Sequence, residues 1–495
     1  MEENVIFEKN IELSLPTDIV SCHKLILAQQ EMIELLVAQN QELTDRLSEM
    51  EVQQKQLLGK VTALETRLNQ NSKNSSRPPS SDGFAKKPAL PRQSGKKRGG
   101  QSGHKGKTLD MVAHADHIVP LAPNRCVCGY DLSGIHKQVI EKRQVFDLPT
   151  PKLEVTEYQL QSCICPACRQ LQVGQFPDSV PARVQYGPGV RSLSVLLNNG
   201  YQVSFSKIRR FFCDVFGYEL NESTQVSANH RCYEALQSSQ QRIQQELLQS
   251  PVNHFDETGL RVVGKLHWLH NCSNAKFTYL FVHAKRGKKA LNDPASLIPA
   301  YEGWAVHDCW ASYFGYESCR HAVCGAHLLR DLQGLIEQGS HWAARMHDLL
   351  LYAYHKSDRG QCTVPDMDCL YRRYDHICYL ADQEEPPPQY RYKNKRPKKS
   401  KGRNLMERLV RYRDAVLAFA KYEAVPFTNN QAERDVRPAK TKQKVAGCFR
   451  TLPGAQVYAR IQSFLSTTRK HQLNVFNELV ATFGGSNFLV APGGC

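Results

Sequence analysis

The chain has 495 residues, too many for one ordinary hydrophobic core, so two to four domains are expected. Lysine and arginine outnumber aspartate and glutamate by 64 to 48, a net charge of +16, which favours a polyanionic partner, nucleic acid before an anionic membrane surface. A hydrophobic content of 41% excludes a wholly disordered chain, and no apolar run approaches the ~18 residues that a membrane span needs.

The opening Met1-Glu-Glu-Asn-Val-Ile lacks the basic stretch of a secretory signal. A reducing, cytoplasmic setting is therefore expected, with the 17 cysteines as buried thiols or metal ligands rather than disulfides. Within 20–70, Ile26, Ile33, Leu47, Val61 and Leu68 form one heptad series and Leu36, Leu43, Met50, Leu57 and Leu64 the other, at the three-and-four spacing of a coiled coil. Asn40 and Gln54 fall in the first series, where a polar side chain can favour an in-register dimer. The competing reading is a long amphipathic helix folded back on its own protein.

Residues 71–110 read as a flexible basic linker. Asn-Ser-Ser-Arg-Pro-Pro-Ser-Ser cannot build a packed interior, and the arm that follows carries Lys86, Lys87, Arg92, Lys96, Lys97, Arg98, Lys105 and Lys107 without an acid. Such an arm can lie along phosphates, releasing counterions, or merely solvate a linker. Residues 111–182 form a short region expected to be rich in strands, with Cys126-Val-Cys128 and Cys165-Pro-Ala-Cys168 as the ligands of one structural Zn²⁺ and Cys163 as a further candidate. Residues 183–248 show helical spacing, as in Ile208, Phe211, Phe212 and Val215, and suit a helix-turn-helix DNA-binding region or an ordinary helical subdomain.

From 249 the pattern turns to strands. Val252 to Leu260, Lys265 to Asn271 and Phe277 to Ala284 read as three consecutive strands, followed by a helix over 290–301, a fourth strand over 303–308, a fifth at 321–324 and a helix from Gly325. This is the start of an RNase H-like α/β sheet, expected over 249–338 and 426–470, with a basic helical insertion at 339–425 and a tail at 471–495. Asp256 lies on the first strand and Asp308 ends the fourth; in that topology the two strands are neighbours, so the carboxylates converge. Glu433 opens a helix that either Asn429 or Asn430 can cap, with Arg434, Arg437 and Lys440 behind it. It pairs with Arg437 across one helical turn, or it is a third oxygen ligand for two Mg²⁺ ions beside cations that grip a nucleic-acid strand. Cys324 and His327 head the helix after the fifth strand and read as a buried pair near that centre. A second cationic run spans Arg391 to Arg403.

With these residues the chain resembles the IS66 family of bacterial insertion-sequence transposases. The motifs run in order: the zipper, the Asn-Ser-Ser-Arg-Pro-Pro-Ser-Ser-Asp82 linker, the Gly-Gly-Gln-Ser-Gly-His-Lys-Gly106 arm, the cysteine pairs, Asp-Glu-Thr258, His-Asp308, Cys-Gly-Ala-His327 and Asn-Asn-Gln-Ala-Glu-Arg434. The first cysteine pair departs from the spacing usual there. The resemblance implies a multidomain DDE transposase with an RNase H-like catalytic domain, Asp256, Asp308 and Glu433 as its triad, and Cys324 and His327 as an accompanying Cys-x-x-His signature. It implies metal-assisted attack by water, then by a freed 3′-hydroxyl, at the element's terminal repeats and the target DNA. A homodimer or higher oligomer and companion proteins of the same element are the expected partners. A regulatory DNA-binding protein or a zinc-containing RNA-binding protein would use the same basic arms.

Overall fold

The computed structural model describes residues 18–68, 70, 74, 109–358, 364–388 and 399–490. The chain divides into two compact units, Met1–Gly83 with Arg330–Ala344, and Phe84–Leu329 with Arg345–Cys495.

In the first unit a single helix of 50 residues, α1 (Ile19–Leu68), begins where the Asp18 carboxylate accepts the Ser21 N–H at 2.9 Å. Both heptad series lie exposed along it, Val61 at 49% and Leu57 at 60%. Asn74, inside the stretch expected to be a plain linker, is instead buried, and its amide donates to Glu337 at 2.5 Å. Gly334 admits it, since a Cβ there would collide with the Asn74 carbonyl.

In the second unit, 109–182 has only β1 (Ser162–Ile164) and β2 (Leu171–Val173), an antiparallel ribbon with Cys163 opposite Gln172. The strand-rich expectation fails here because no residue of the segment is buried, so apolar alternation meets no second layer. Four helices follow, α2 (Pro188–Val195), α3 (Phe205–Phe216), α4 (Glu222–Ala235) and α5 (Gln237–Leu248), with a π-helical turn at Leu196–Gly200.

The sheet comprises β3 (Val252–Val262), β4 (Lys265–Ser273), β5 (Thr278–His283), β6 (Trp304–His307) and β7 (Arg320–Val323) in the order β5-β4-β3-β6-β7. The β3–β4 and β4–β5 pairs are antiparallel; β6 and β7 run parallel to β3. Between β5 and β6 the expected helix shrinks to α6 (Lys288–Leu291) and one 3₁₀ turn at Ile298–Ala300. Pro294 and Pro299 remove the amide donors that a longer helix would need. The remaining helices are α7 (Gly325–Ile336), α8 (His341–Asp358), α9 (Val364–Glu384), α10 (Lys401–Arg411), α11 (Arg413–Val416), α12 (Ala418–Lys421), α13 (Asn430–Ala446), α14 (Leu452–Lys470) and α15 (Val475–Phe483). Within the helices of 364–421, α9 and α10 are joined by Arg403 bridging Asp382 and Glu407, and by the Tyr374 hydroxyl donating to the Leu409 carbonyl at 3.0 Å.

Strand alternation gives the sheet two faces. On one, Leu260, Val262, Leu269 and Leu280 pack under Val436 and Ala439 of α13 and Ala455 and Tyr458 of α14. On the other, Phe255, Cys272 and Tyr279 pack with Ile243 and Leu247 of α5 and with Tyr301 and Tyr313. A third cluster joins Val195, Cys232 and Leu236 to Ile461, Phe464 and Leu479. The helices of 183–248 thus share cores with the sheet and α14 rather than standing apart. Residues 475–483, expected in a tail, close that third core through Leu479.

Candidate active site

Asp256 lies mid-way along β3 and Asp308 directly after β6. The parallel register ends with His254 opposite Val306, and Asp256 and Asp308 each lie two residues further along. Burial first, then the charges of Glu257 and Asp308, push the Asp256 carboxyl up to about 8. Such a shift keeps the buried carboxyl protonated near neutral pH unless a cation joins it. The Asp308 carboxylate is fixed on one side by the Trp310 N–H at 3.1 Å and lies 3.6 Å from the Arg286 guanidinium on the other. Cys309, next in the chain, sits in the left-handed region at φ 65°, a strained turn of the kind that clusters at functional sites.

Glu257 is adjacent in sequence but on the opposite face of β3. There it accepts from Arg286 at 2.5 Å and from the Tyr313 hydroxyl at 2.7 Å, while the Tyr313 ring stacks on His307 at 4.7 Å. Arg286 lies between the indoles of Trp268 and Trp310, 5.1 and 4.4 Å from their centres.

Glu433 occupies the first turn of α13, and its carboxylate lies 3.6 Å from His327 Nε2. The pairing with Arg437 expected as the alternative gives way to this one, and Arg437 is exposed. Asn429 stands at the N-cap position of α13 without capping it. Its buried amide donates to the Phe255 carbonyl at 2.8 Å, its oxygen meets His254 Nδ1 at 2.8 Å, and its backbone N–H reaches Cys324 Sγ at 3.1 Å. With that oxygen as acceptor, His254 Nδ1 carries the proton, consistent with burial holding the imidazole below its ordinary range. Burial raises the Cys324 thiol, but the hydrogen bond and charge of His327 together with the Asn429 and His327 backbone N–H groups outweigh it and leave the thiol below the ordinary range. Gly325 lets these strands of chain meet: its N–H donates to the Phe427 carbonyl at 2.8 Å, where a Cβ would enter the Phe427 ring.

Three lysines fasten α13 and its neighbours. Lys440, an expected DNA contact, is partly buried, and its Nζ donates to the Gly259 carbonyl at 2.6 Å. Lys442 Nζ donates to Asn198 in the π-helical turn at 2.9 and 3.0 Å. Lys470 donates to Asp435 at 2.8 Å as well as to the Asn274 and Phe277 carbonyls. Arg434 and Arg437 stay exposed. Lys96, Lys97 and Arg98 lie outside the described residues, as do Arg391 to Lys398; of the second basic run, Lys399 and Arg403 are paired with Glu407.

The cysteines form two separate turns. Gly129 N–H donates to the Cys126 carbonyl at 2.8 Å, and Arg169 N–H to the Cys165 carbonyl at 2.8 Å. The Tyr130 backbone and then the Cys126 thiol lower Cys128; the Cys168 backbone leads in lowering Cys165. Each pair suits half of a thiolate site. Among the described residues, no three His, Cys, Asp or Glu side chains are gathered closely enough to hold a metal ion. The pairs therefore do not meet, and Glu433 is not closed against the two aspartates. By chemistry, the oxygen donors of Asp256, Asp308 and Glu433 suit a hard divalent cation, which would also favour the ionised form of the buried Asp256 carboxyl.

Residues 183–457 match the IS66 family of transposases. The chain belongs to that family. A transposase works on DNA, and the surplus of basic residues suits that partner. Residues 24–110 of the transposase match a family of unknown function (DUF6444). No curated protein matches the chain. Among the described residues no helix is long and apolar enough to cross a membrane.

Sequence reasoning missed Arg286, Glu257, Tyr313 and Asn429 as parts of this centre. The Asp256-Glu257 doublet was a usable signal, because consecutive strand residues face opposite ways and one of two buried acids then needs a cation.

Proposed function

We propose that this transposase cuts and joins DNA with Asp256, Asp308 and Glu433 as its reacting carboxylates, in an RNase H-like domain. The observation that carries the reading is that Asp256 on β3 and Asp308 directly after the neighbouring β6 lie close enough for the Asp308 charge, with burial and Glu257, to push the Asp256 carboxyl up to about 8. The three carboxylates would hold two Mg²⁺ ions, which supply Lewis-acid polarisation of the scissile phosphate and activation of the attacking hydroxyl. Water attacks first and opens a phosphodiester at the element end; the freed 3′-hydroxyl then attacks target DNA. His327 holds Glu433, Asn429 sets the start of its helix against β3, and Arg434 and Arg437 offer exposed cations to the strand being cut.

Three further readings accompany this one. The exposed heptad face of α1 supports a homodimer through a coiled coil. The lowered thiols of Cys128 and Cys165 support a structural Zn²⁺ held by Cys126, Cys128, Cys165 and Cys168 once the two turns meet. A DNA substrate supports a cytoplasmic, nucleoid-associated location in a bacterium, with companion proteins of the same element as candidate partners.

Strand cleavage and strand transfer on element-end DNA with Mg²⁺ test the reading. Asp256→Asn, Asp308→Asn and Glu433→Gln are each expected to lose roughly 10³-fold or more, about 4 kcal/mol of transition-state stabilisation. A substituted protein that cleaves as fast as the parent overturns it.

A further inference from the structure

The loop after β5, running into the start of α6, reads Lys285-Arg286-Gly287-Lys288-Lys289, four cations in five residues. Its arginine is turned inward and its lysines outward. Arg286 is held by Glu257 at 2.5 Å and by the two flanking indoles, and the same guanidinium reaches Asp308 at 3.6 Å. Lys285, Lys288 and Lys289 are exposed, and none forms an ion pair among the described residues.

The backbone of the loop is also fixed. The Lys285 carbonyl faces His270 Nε2 at 3.3 Å, while Lys285 N–H donates to His283 Nδ1 at 2.9 Å. The Gly287 carbonyl accepts from Ala290 N–H at 2.8 Å. Lys288 crosses the turn that follows Asp308: a Cβ on Gly315 would lie 4.0 Å from its ammonium. The nearest acid on the connection, Asp293, is engaged by His283 at 3.8 Å and by the Ala295 N–H at 2.9 Å.

We infer that this loop is a phosphate grip, with Arg286 as its anchor and Lys285, Lys288 and Lys289 contacting the backbone of the DNA duplex brought to Asp308. The inference rests on the proposed function for its substrate, but not on the identity of the reacting carboxylates. A solvated run of lysines would need no anchor. Here the arginine spends its strongest contacts on Glu257 and the indoles, which fixes the backbone that carries three exposed lysines next to the arginine that reaches Asp308. Fixed positive charge costs less ordering on binding than charge on a mobile tail.

The test is the salt dependence of DNA binding by the full chain, measured by fluorescence anisotropy on a short duplex without divalent cation. Each phosphate contact contributes about 0.9 to the slope of log affinity against log salt, so the triple substitution K285Q/K288Q/K289Q is expected to flatten the slope by about 3. The triple K24Q/K55Q/K60Q, which removes equal charge from exposed positions of α1, is expected to leave the slope unchanged. A slope that keeps its parent value, or an equal loss from both triples, overturns the grip. If Asp308→Asn cleaves like the parent while the loop triple flattens the slope, the catalytic reading falls and the grip stands.

Discussion

Residues 109–182 bury no side chain, although Val127, Ile140 and Leu148 would be core residues elsewhere and are 107%, 98% and 85% exposed. In the sheet-centred body that follows, Leu269, Tyr301 and Ile461 are each 0% exposed. Both stretches are built from similar residue types. The difference is layering: the body stacks helices on both faces of a sheet, whereas the cysteine segment has one ribbon of three-residue strands and nothing to lay it against. Apolar burial can therefore place carboxylates against their own repulsion in the body. In the segment, order has to come from ligands that bind its cysteine turns or from a partner surface.

The largest expected effect lies in the body. Lys470 and Asp435 are 11% and 6% exposed, so Lys470→Met leaves a buried carboxylate without its cation. A loss of about 3–5 kcal/mol is expected. At roughly 2–4 °C per kcal/mol this lowers Tm by on the order of 10 °C, and K470M/D435L recovers most of it. If K470M unfolds at the parent temperature, the body does not depend on this buried pair and the contrast with the segment weakens.

A smaller effect sharpens the comparison at the candidate site. The Asp256 carboxyl is raised from 3.8 to about 8, so between those pH values the folded state binds more protons than the unfolded one. Stability then falls as pH rises across that window. In chelator, the parent is expected to lose on the order of 1–3 kcal/mol between pH 5 and pH 8 that Asp256→Asn does not lose. Added Mg²⁺ is expected to return it to the parent alone. Equal pH profiles for the two proteins would remove the trapped charge from the account.

How far the sequence displays all this follows the same division. The strands around Asp256 and Asp308 were legible because their apolar runs speak locally; the tight hairpin at Val263-Gly264, with φ values of 50° and 72°, was not, since it sets a valine where such turns favour asparagine or glycine. Glu433 was legible as a carboxylate opening a helix. Asn429 was legible only as a cap, because its actual partners, Phe255 and His254, lie far away in the chain. Arg286 carried no local signal, since its role depends on two tryptophans and two acids gathered from three places in the chain. The cysteine segment misled in the other direction. Its valines and leucines alternate as strands do, but alternation predicts a strand only where a second layer exists to receive one face.

The smallest expected effect on stability belongs to that segment and is the most direct check on the contrast. With no buried side chain between 109 and 182, Cys165→Ser/Cys168→Ser removes no core contact, and the thermal transition of the body should stay within about 0.5 kcal/mol of the parent. The segment itself should respond. If the proposed zinc ties the two turns, the zinc-loaded parent resists limited proteolysis within 109–182, and chelation or the double substitution opens the same sites. Metal analysis of both proteins shows whether zinc is lost with the thiols. A fall of several degrees in the main transition on zinc removal would place the segment in the body's cooperative unit, so that exposure in the isolated chain no longer measures its share of the fold. Proteolysis that zinc does not alter would leave a partner surface, DNA or a second copy of the chain, as the source of order for its exposed apolar residues.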